Sequence, residues 1–457
     1  MNKKTPVSKN DVTSALRGAI VVVAVGALLA GCSAQQHVAA TPPNTNQSAP
    51  AATPPPPQQA TTPPPAASPA TQQVAAAAPA APAPQPTPAA PPPPPVQSFD
   101  DAVARAAHAV FTNAPAPQPS PGMVVIDPLV DGVSGFQSKA TQTIQDRITH
   151  IVKDDFPQYA VQSLSPDNLK QNPRVLVGTF TAVNAEMKTA GVREAYRFCL
   201  VMGDLTTGKI VAKSVARARI GDVDATPTPV FEDSPVWTDD PSIQAYVATC
   251  QASKVGDPIK REYLDGLLAA ALISEAQDAY EHGRYAEALS LYTTASKAPS
   301  GEQLRVYDGI YMSLDKLGRT DQAASAFRDL VDYGIHRKRL DVNFTFRPGS
   351  VRFSNSPESH NYDMWLRQIA SQTAAAKACL QISGHTSPTG SAELNDSLSL
   401  MRAEYIQSRL EEDQPSLKGR SVAAGKGSRE NMIGTGKDDA SDRLDRRVEI
   451  KPIEPCT

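Results

Sequence analysis

Forty-two of the 457 residues are proline, and they crowd into the first quarter of the chain. From Gln35 to Val96 the sequence is Pro, Ala, Thr and Gln with almost no charge. Such a stretch cannot bury a core, so it reads as a disordered spacer with polyproline-II bias. At ~3.1 Å per residue in that conformation, some sixty residues reach roughly 190 Å when fully extended. The folded part must then follow residue 97, and the chain is long enough for two or three domains. Formal net charge is −3. That balance gives no electrostatic case for nucleic acid, which would need a basic patch.

Ahead of the spacer, Lys3, Lys4, Lys9 and Arg17 form a positive region, and Gly18 to Gly31 is an uncharged, mostly apolar run. The run is too short for a spanning helix, which needs ~20 residues, and has the pattern of a secretory leader. It ends in Leu29-Ala30-Gly31-Cys32, which resembles a bacterial lipobox. The resemblance implies a leader over 1–31, diacylation of Cys32, and a lipid-bearing linker over 32–97. Ser33, rather than Asp, follows the cysteine, which by the sorting rule of such lipoproteins implies the outer membrane with the domains facing the periplasm. More than one acyl chain gives stable anchoring.

Residues 98–255 read as an α/β module. Phe99–Phe111 is an alanine-rich helix capped by Ser98. Met123–Ile126 is a short buried strand ending at Asp127-Pro128, and Phe136–Phe156 carries helical periodicity through Ala140, Ile144, Ile148 and Ile151. Arg174–Thr179 is another strand. Alternating runs at Ala195–Met202 and Lys209–Ala216, joined through Asp204-Leu205-Thr206-Thr207-Gly208, read as a hairpin. Asp127 sits at a strand end, where sites form, yet an aspartate before a proline is also an ordinary turn residue. In element order alone the module resembles lipoprotein domains that activate penicillin-binding proteins or assemble secretion pores, an analogy that assigns no function by itself.

Residues 258–337 are helical and repeat. Gly283-Arg284-Tyr285, Ala288, Tyr292 and Ala295 recur about 35 residues later as Gly318-Arg319, Ala323 and Phe327. The pattern is similar to the tetratricopeptide repeat, in which small residues let two helices pack closely while an aromatic fills the gap. Two repeats are fewer than the ~3 of a freestanding solenoid, so flanking helices or neighbouring domains must cover the ends. The segment is either a protein- or peptide-binding surface or a helical spacer between two α/β domains.

The stretch from Cys379 to Leu410 carries the sharpest signal. Cys379–Ser383 lead into a turn-forming cluster, Gly384-His385-Thr386-Ser387-Pro388-Thr389-Gly390, and a helix follows. Leu394, Leu398, Met401 and Tyr405 recur at helical spacing and predict an apolar face for a core. Ser391, Asn395, Ser399 and Arg402 follow the same spacing as a polar stripe. A guanidinium behind such a bend suits a carboxylate, on which it forks with two parallel hydrogen bonds, and the loop and helix N-terminus supply N–H donors. A solvated helix face with a surface arginine has the same spacing.

The pattern Gly384-His385-Thr386, Gly390, Asn395, Leu398-Ser399 and Arg402-Ala403 resembles the signature of OmpA-like peptidoglycan-binding domains. The likeness extends over about 340–453, with VNFTFRPGSVRF as first strand and Asp445-Arg446-Arg447-Val448-Glu449-Ile450 as last. It implies noncovalent binding of the diaminopimelate of the peptidoglycan stem peptide, the helix arginine taking the carboxylate and an aspartate the ammonium. Here Ser387 stands where that aspartate would be. A charge-assisted bond is roughly twice as strong as a neutral one, so the ammonium half of the site is weakened. Asp396 or Glu393 could supply the missing charge, though neither lies on the polar stripe. Arg446 or Arg447 would brace the site; strands alternate faces, so only one points at it.

Besides Cys32, four cysteines remain, two per α/β domain: one in a predicted strand, one at or near the domain's C-terminal end. In an exported chain they predict disulfides Cys199–Cys250 and Cys379–Cys456, each worth ~4 kcal/mol in the chain-entropy model. No catalytic constellation is present. Gly434-Thr435-Gly436-Lys437 lacks a phosphate loop's first glycine, Asn431 standing there, and no metal-spaced Cys/His pair appears. His385 belongs to the turn scaffold of the resembled family rather than to a base.

Together these readings predict an α/β + all-α + α/β multidomain lipoprotein with no enzymatic activity and no cofactor. Its parts are the leader and lipidated linker, the 98–255 module, tetratricopeptide-like repeats over 258–337, and a βαβαββ OmpA-like domain over 340–457. The predicted function is tethering of the outer membrane to peptidoglycan through Ser387, Asn395, Arg402 and Arg446. The alternative is an envelope assembly or regulatory adaptor whose first two domains bind a protein partner. A cell-wall hydrolase ranks last for want of paired carboxylates or a metal motif.

Overall fold

The computed structural model describes residues 92–457 apart from 190, 237–239, 434–435, 437–440, 455 and 457. The chain divides into two units, 1–86 and 87–457. The described residues all belong to the second, so the leader, Cys32 and nearly all of the spacer lie outside them. Among the described residues no helix is long and apolar enough to cross a membrane.

The chain opens with β1 (Val96–Gln97), α1 (Phe99–Asn113), β2 (Gly122–Ile126), α2 (Lys139–Asp155) and β3 (Tyr159–Ser163). There follow α3 (Pro166–Leu169), β4 (Arg174–Val183), β5 (Ala195–Asp204), β6 (Lys209–Arg219), α4 (Pro229–Asp233) and α5 (Pro241–Gln251). The strands make a six-stranded sheet in the order β1-β6-β5-β4-β2-β3. Val96–Gln97, counted with the spacer in the sequence, are instead drawn in parallel onto Arg217–Ala218. Ser98 caps α1 through a bond from Asp101 N at 3.1 Å. The second helix begins at Lys139 rather than Phe136, because Ser138 and Thr141 form a reciprocal capping box. Leu176, Phe198, Leu200 and Met202 pack under α1 and α2, while Val175, Val177, Cys199 and Val201 pack under α5. Burial on both faces is why these strands are apolar almost throughout. The β5–β6 turn closes as expected: Asp204 Oδ1 accepts from Thr206 N and Thr207 N, and Gly208 takes φ +65°.

Four helices follow, α6 (Arg261–Glu281), α7 (Tyr285–Ala295), α8 (Leu304–Lys316) and α9 (Thr320–His336). The two hairpins share one turn geometry. Gly283 and Gly318 take φ +73° and +68°, and Arg284 N and Arg319 N donate to Ala279 O and Leu314 O at 2.8 and 3.0 Å. A Cβ at Gly309 would lie 2.3–2.4 Å from the Tyr292 ring, so the aromatic fills space that only glycine leaves. Neighbours cover both ends. Tyr263, Leu267 and Ala271 of α6 join the core beneath the six-stranded sheet.

The chain ends with β7 (Val342–Thr345), α10 (Tyr362–Ala375), β8 (Cys379–Gly384), α11 (Ala392–Asp413), β9 (Ser421–Gly425) and β10 (Arg447–Ile453). Their sheet runs β7-β10-β8-β9, β10 antiparallel to both neighbours and β8 parallel to β9. This is the βαβαββ order expected. Trp365 of α10 stacks on Phe327 of α9 at 5.4 Å and donates Nε1–H to Tyr311 at 2.8 Å. One hydrophobic cluster therefore runs from the helical segment into this sheet. The free edge of β7 is met by the first module's segment between α4 and α5, Asn343 N donating to Pro235 O at 2.9 Å.

Cys199 pairs with Cys250 and Cys379 with Cys456, at Cα separations of 6.2 and 5.4 Å. The first staples α5 to the large sheet; the second ties the chain's end to the start of β8. Thiol titration of the denatured protein without reductant should find none of these four cysteines, and all four after reduction.

Candidate functional site

The candidate site is built where β8 runs out into the bend of residues 384–390. The bend is held on both sides, His385 N donating to Arg447 O at 2.8 Å and Thr386 N to Gly427 O at 2.9 Å. Gly390 closes it at φ +91°, and Ser391 caps α11 by accepting from Leu394 N at 3.2 Å.

Helix α11 then lies directly on β8 and β9. A Cβ on Gly384 would meet Ser399 O at 1.9 Å, and one on Gly425 would meet Ser399 Oγ at 2.8 Å. Only a small residue fits at such a contact, and Ser399 stands there, which turns its own face of the helix inward. The buried face is accordingly Asn395, Ser399, Arg402, Ala403, Ile406 and Leu410. This corrects the predicted orientation. Leu394 and Met401 are 60% and 45% exposed, and Leu398 and Tyr405 are half-buried, so the stripe read as the core face points largely to solvent.

The inward polar stripe organises the bend. Asn395 Nδ2 donates to Thr389 O at 3.1 Å, and Ser399 Oγ accepts from Gly427 N at 2.9 Å. Ser387 is 5% exposed, with its hydroxyl 3.0 Å from that of Thr389. Arg402 is fully buried. Its Nε donates to Ser350 O at 2.9 Å, Nη2 to Arg347 O at 2.9 Å and Nη1 to His385 O at 3.1 Å. The guanidinium also stands 5.2 Å above the Phe346 ring. The fork expected to face a ligand thus ties the bend to the loop of residues 347–352. The sequence ran the first strand on through this loop as VNFTFRPGSVRF, whereas β7 ends at Thr345, so these carbonyl partners were not foreseen.

Arg446 and Arg447 separate as strand alternation requires. Arg447 lies on the side of His385, donating Nε–H to Glu449 Oε1 at 2.7 Å. Arg446 is buried and shares the parity of Val448 and Ile450, which face the helices, and its carbonyl accepts from Phe346 N at 3.0 Å. Burial pushes the Glu449 carboxyl up, but Arg447, His385 and Lys451 outweigh it and hold the group far below the ordinary range. Burial and Arg447 push the His385 imidazole down, so it is neutral near pH 7 and unsuited to act as a cation. Of the two acids considered for the missing charge, Asp396 is paired with Arg429 at 2.5 Å and Glu393 is exposed. A contact the sequence did not suggest links the first module to the bend: Arg193 Nη2 donates to Asn431 O at 3.2 Å, and Asn431 Nδ2 to Thr386 O at 2.8 Å.

Asp127, at the end of β2, is buried and accepts from Tyr263 OH at 2.7 Å. Burial, only partly offset by Tyr263 and Arg305, raises its carboxyl to about 6. The adjoining cavity of ≈20 Å³ has room for about one water. This carboxyl is a closed structural group. Among the described residues no cluster of three or more His, Cys, Asp or Glu could hold a metal.

No family model matches the sequence, and no curated protein does. Among solved structures, the peptidoglycan-associated lipoprotein from Burkholderia pseudomallei is similar at 22% identity over 24% of this chain and 89% of that one, with a TM-score of 0.22. The cell wall anchor of the T6SS from Pseudomonas aeruginosa is similar at 22% identity over 25% and 80%, with a TM-score of 0.21. The periplasmic domain of MotB from Helicobacter pylori (residues 78–256) is similar at 15% identity over 25% and 76%, with a TM-score of 0.20.

Two outcomes are expected from the geometry. Gly384→Ala should lower the free energy of unfolding by about 3 kcal/mol, seen as a lower urea midpoint, because the methyl group meets backbone rather than a movable side chain. For Asp127, a folded-state pKa above the unfolded one means the native state binds the extra proton between about pH 4 and 6. Its ionisation therefore costs stability as pH rises through that window, by about 3 kcal/mol in full. Asp127→Asn should unfold at higher urea than wild type at pH 7, with the difference shrinking toward pH 4.

Proposed function

We propose that this chain is a lipid-anchored envelope protein that grips peptidoglycan through its C-terminal domain, without making or breaking a bond. The observation that carries the reading is the convergence of Ser387, Asn395 and Arg402 on one glycine-bounded bend, in the order of the OmpA-like signature. A stem-peptide carboxylate would compete for Arg402 with the carbonyls of Arg347 and Ser350. A carboxylate bonds a guanidinium about twice as strongly as a neutral carbonyl does, which favours the exchange. Asn395 holds the bend in place, the hydroxyls of Ser387 and Thr389 offer neutral partners where an acid would take the ammonium, and Arg446 backs the site. Diacylation of Cys32 and the proline-rich spacer would supply the other end of an outer-membrane tether.

A second reading makes the protein an envelope adaptor whose α/β and tetratricopeptide-like parts bind a protein partner. It is favoured by the contact of Arg193 with Asn431 and of Asn431 with the bend, which gives the first module a direct hold on the wall site.

Sedimentation of the full-length protein with insoluble sacculi tests the first reading, with thermal unfolding of each variant measured alongside. Wild type should pellet. Arg402→Lys, which keeps the charge but loses the fork, should bind about tenfold more weakly. Ser387→Asp should bind more tightly to sacculi bearing free diaminopimelate amines. Wild type remaining in the supernatant, or Arg402→Lys pelleting like wild type, would refute wall binding. A protein partner retained equally by wild type and Arg402→Lys would favour the adaptor.

A further inference from the structure

We infer that the cleft between α5, the start of α6 and the end of α9 binds a primary ammonium group, with Asp240 as its buried acceptor. The inference is independent of the wall site. The cleft has a volume of ≈540 Å³, within the ~300–1,000 Å³ typical of small-ligand sites.

Asp240 lines it and is 4% exposed. Its Oδ1 caps α5 by accepting from Ile243 N at 2.8 Å. Among the described residues its Oδ2 accepts no hydrogen bond. The nearest cation, Arg305, has Nε 3.8 Å away, and that Nε–H is engaged with Gln303 Oε1 at 2.6 Å. A buried carboxylate oxygen without a donor is costly, which fits a donor supplied from outside.

The walls narrow the donor's chemistry. Glu262, exposed on the first turn of α6, adds negative charge at the rim, where Asp265 is paired with Arg261 at 3.5 Å. Opposite them is the Tyr333 ring, stacked on Tyr307 at 4.7 Å. Arg337 and Arg339 also line the cleft; Arg337 is paired with Glu302 at 3.2 Å and lies over Tyr333 at 5.5 Å. With Oδ1 committed to the cap, Asp240 presents a single oxygen, which cannot take a guanidinium's two parallel bonds. A compact ammonium needs only one oxygen and has two further donors for the rim. Its aliphatic stem can lie along the tyrosine. The ligand class is therefore a lysine-like side chain, free or within a peptide.

Calorimetric titration of the full-length protein with Nα-acetyl-lysine amide tests this, with Nα-acetyl-norleucine amide as the uncharged isostere. Wild type should bind the lysine probe saturably at one site and the norleucine probe at least tenfold more weakly. Asp240→Asn keeps a good helix cap and removes the charge; it should melt like wild type and lose at least tenfold in affinity. Absence of saturable lysine binding, equal binding of the two probes, or undiminished binding by a well-folded Asp240→Asn would overturn the assignment.

Discussion

The C-terminal domain depends on one close approach: α11 lies on β8 and β9 with no side chain between backbones at Gly384 and Gly425. A methyl at Gly384 would stand 1.9 Å from Ser399 O, so the helix can come this near only over glycine, and only with a small residue of its own at the contact. Once the helix is seated there, its orientation about its axis is fixed. Asn395 and Arg402, on the same face as Ser399, must go inward, and each needs hydrogen-bond partners because a buried polar group without them is costly. The bend of residues 384–390 and the loop of residues 347–352 provide those partners. The same approach therefore positions the bend, closes the loop over it and buries the arginine.

Main-chain dipoles help to stabilise the buried cation. Three main-chain carbonyls accept from Arg402, and the Phe346 ring lies beneath it. Across the sheet the arrangement differs: Arg447, Glu449 and Lys451 form a charged chain, with the Lys451 ammonium 2.9 Å from Glu449 and 3.3 Å from Asp341. One face of the sheet thus carries a charged row, and on the other the guanidinium donates to main-chain oxygens. Removing a partner from either would strand a buried charge, which costs more than the pair gains.

Much of this was legible in the sequence where local chemistry decides. Ser98 capped the helix predicted for it, the Asp204–Gly208 turn closed its hairpin, and the cysteines paired by domain. The Gly283 and Gly318 turns were readable from their spacing because a left-handed position at a helix end favours glycine. The α11 face was misread because periodicity weighs only hydrophobicity. Leu394, Leu398, Met401 and Tyr405 make a regular apolar stripe, but the inner face is chosen by how near the strand backbone comes at Gly384, which helical periodicity does not register. The partners of Arg402 were hidden for a similar reason: carbonyls of residues 347 and 350 carry no residue-type signal. The orphan oxygen of Asp240 needed coordinates, since any capping aspartate looks alike in sequence.

The carbonyl partners of the arginine also give the site a direction. Its bond to His385 O joins two buried groups, and breaking it would leave a carbonyl without water to replace the donor. The carbonyls of Arg347 and Ser350 belong to a loop whose residues 347–349 and 351–352 are exposed, so on release they can hydrogen-bond to solvent at little cost. In the wall binding proposed above, exchange at the guanidinium would therefore be easiest from the loop side, with His385 O keeping the arginine aligned. An acid at position 387 would add a charge beside the bend; Ser387 and Thr389 leave it neutral. Position 387 therefore adds no carboxylate to repel an anion approaching from the loop side, and the wall binding proposed above would rest on a ligand's carboxylate more than on any ammonium it carries.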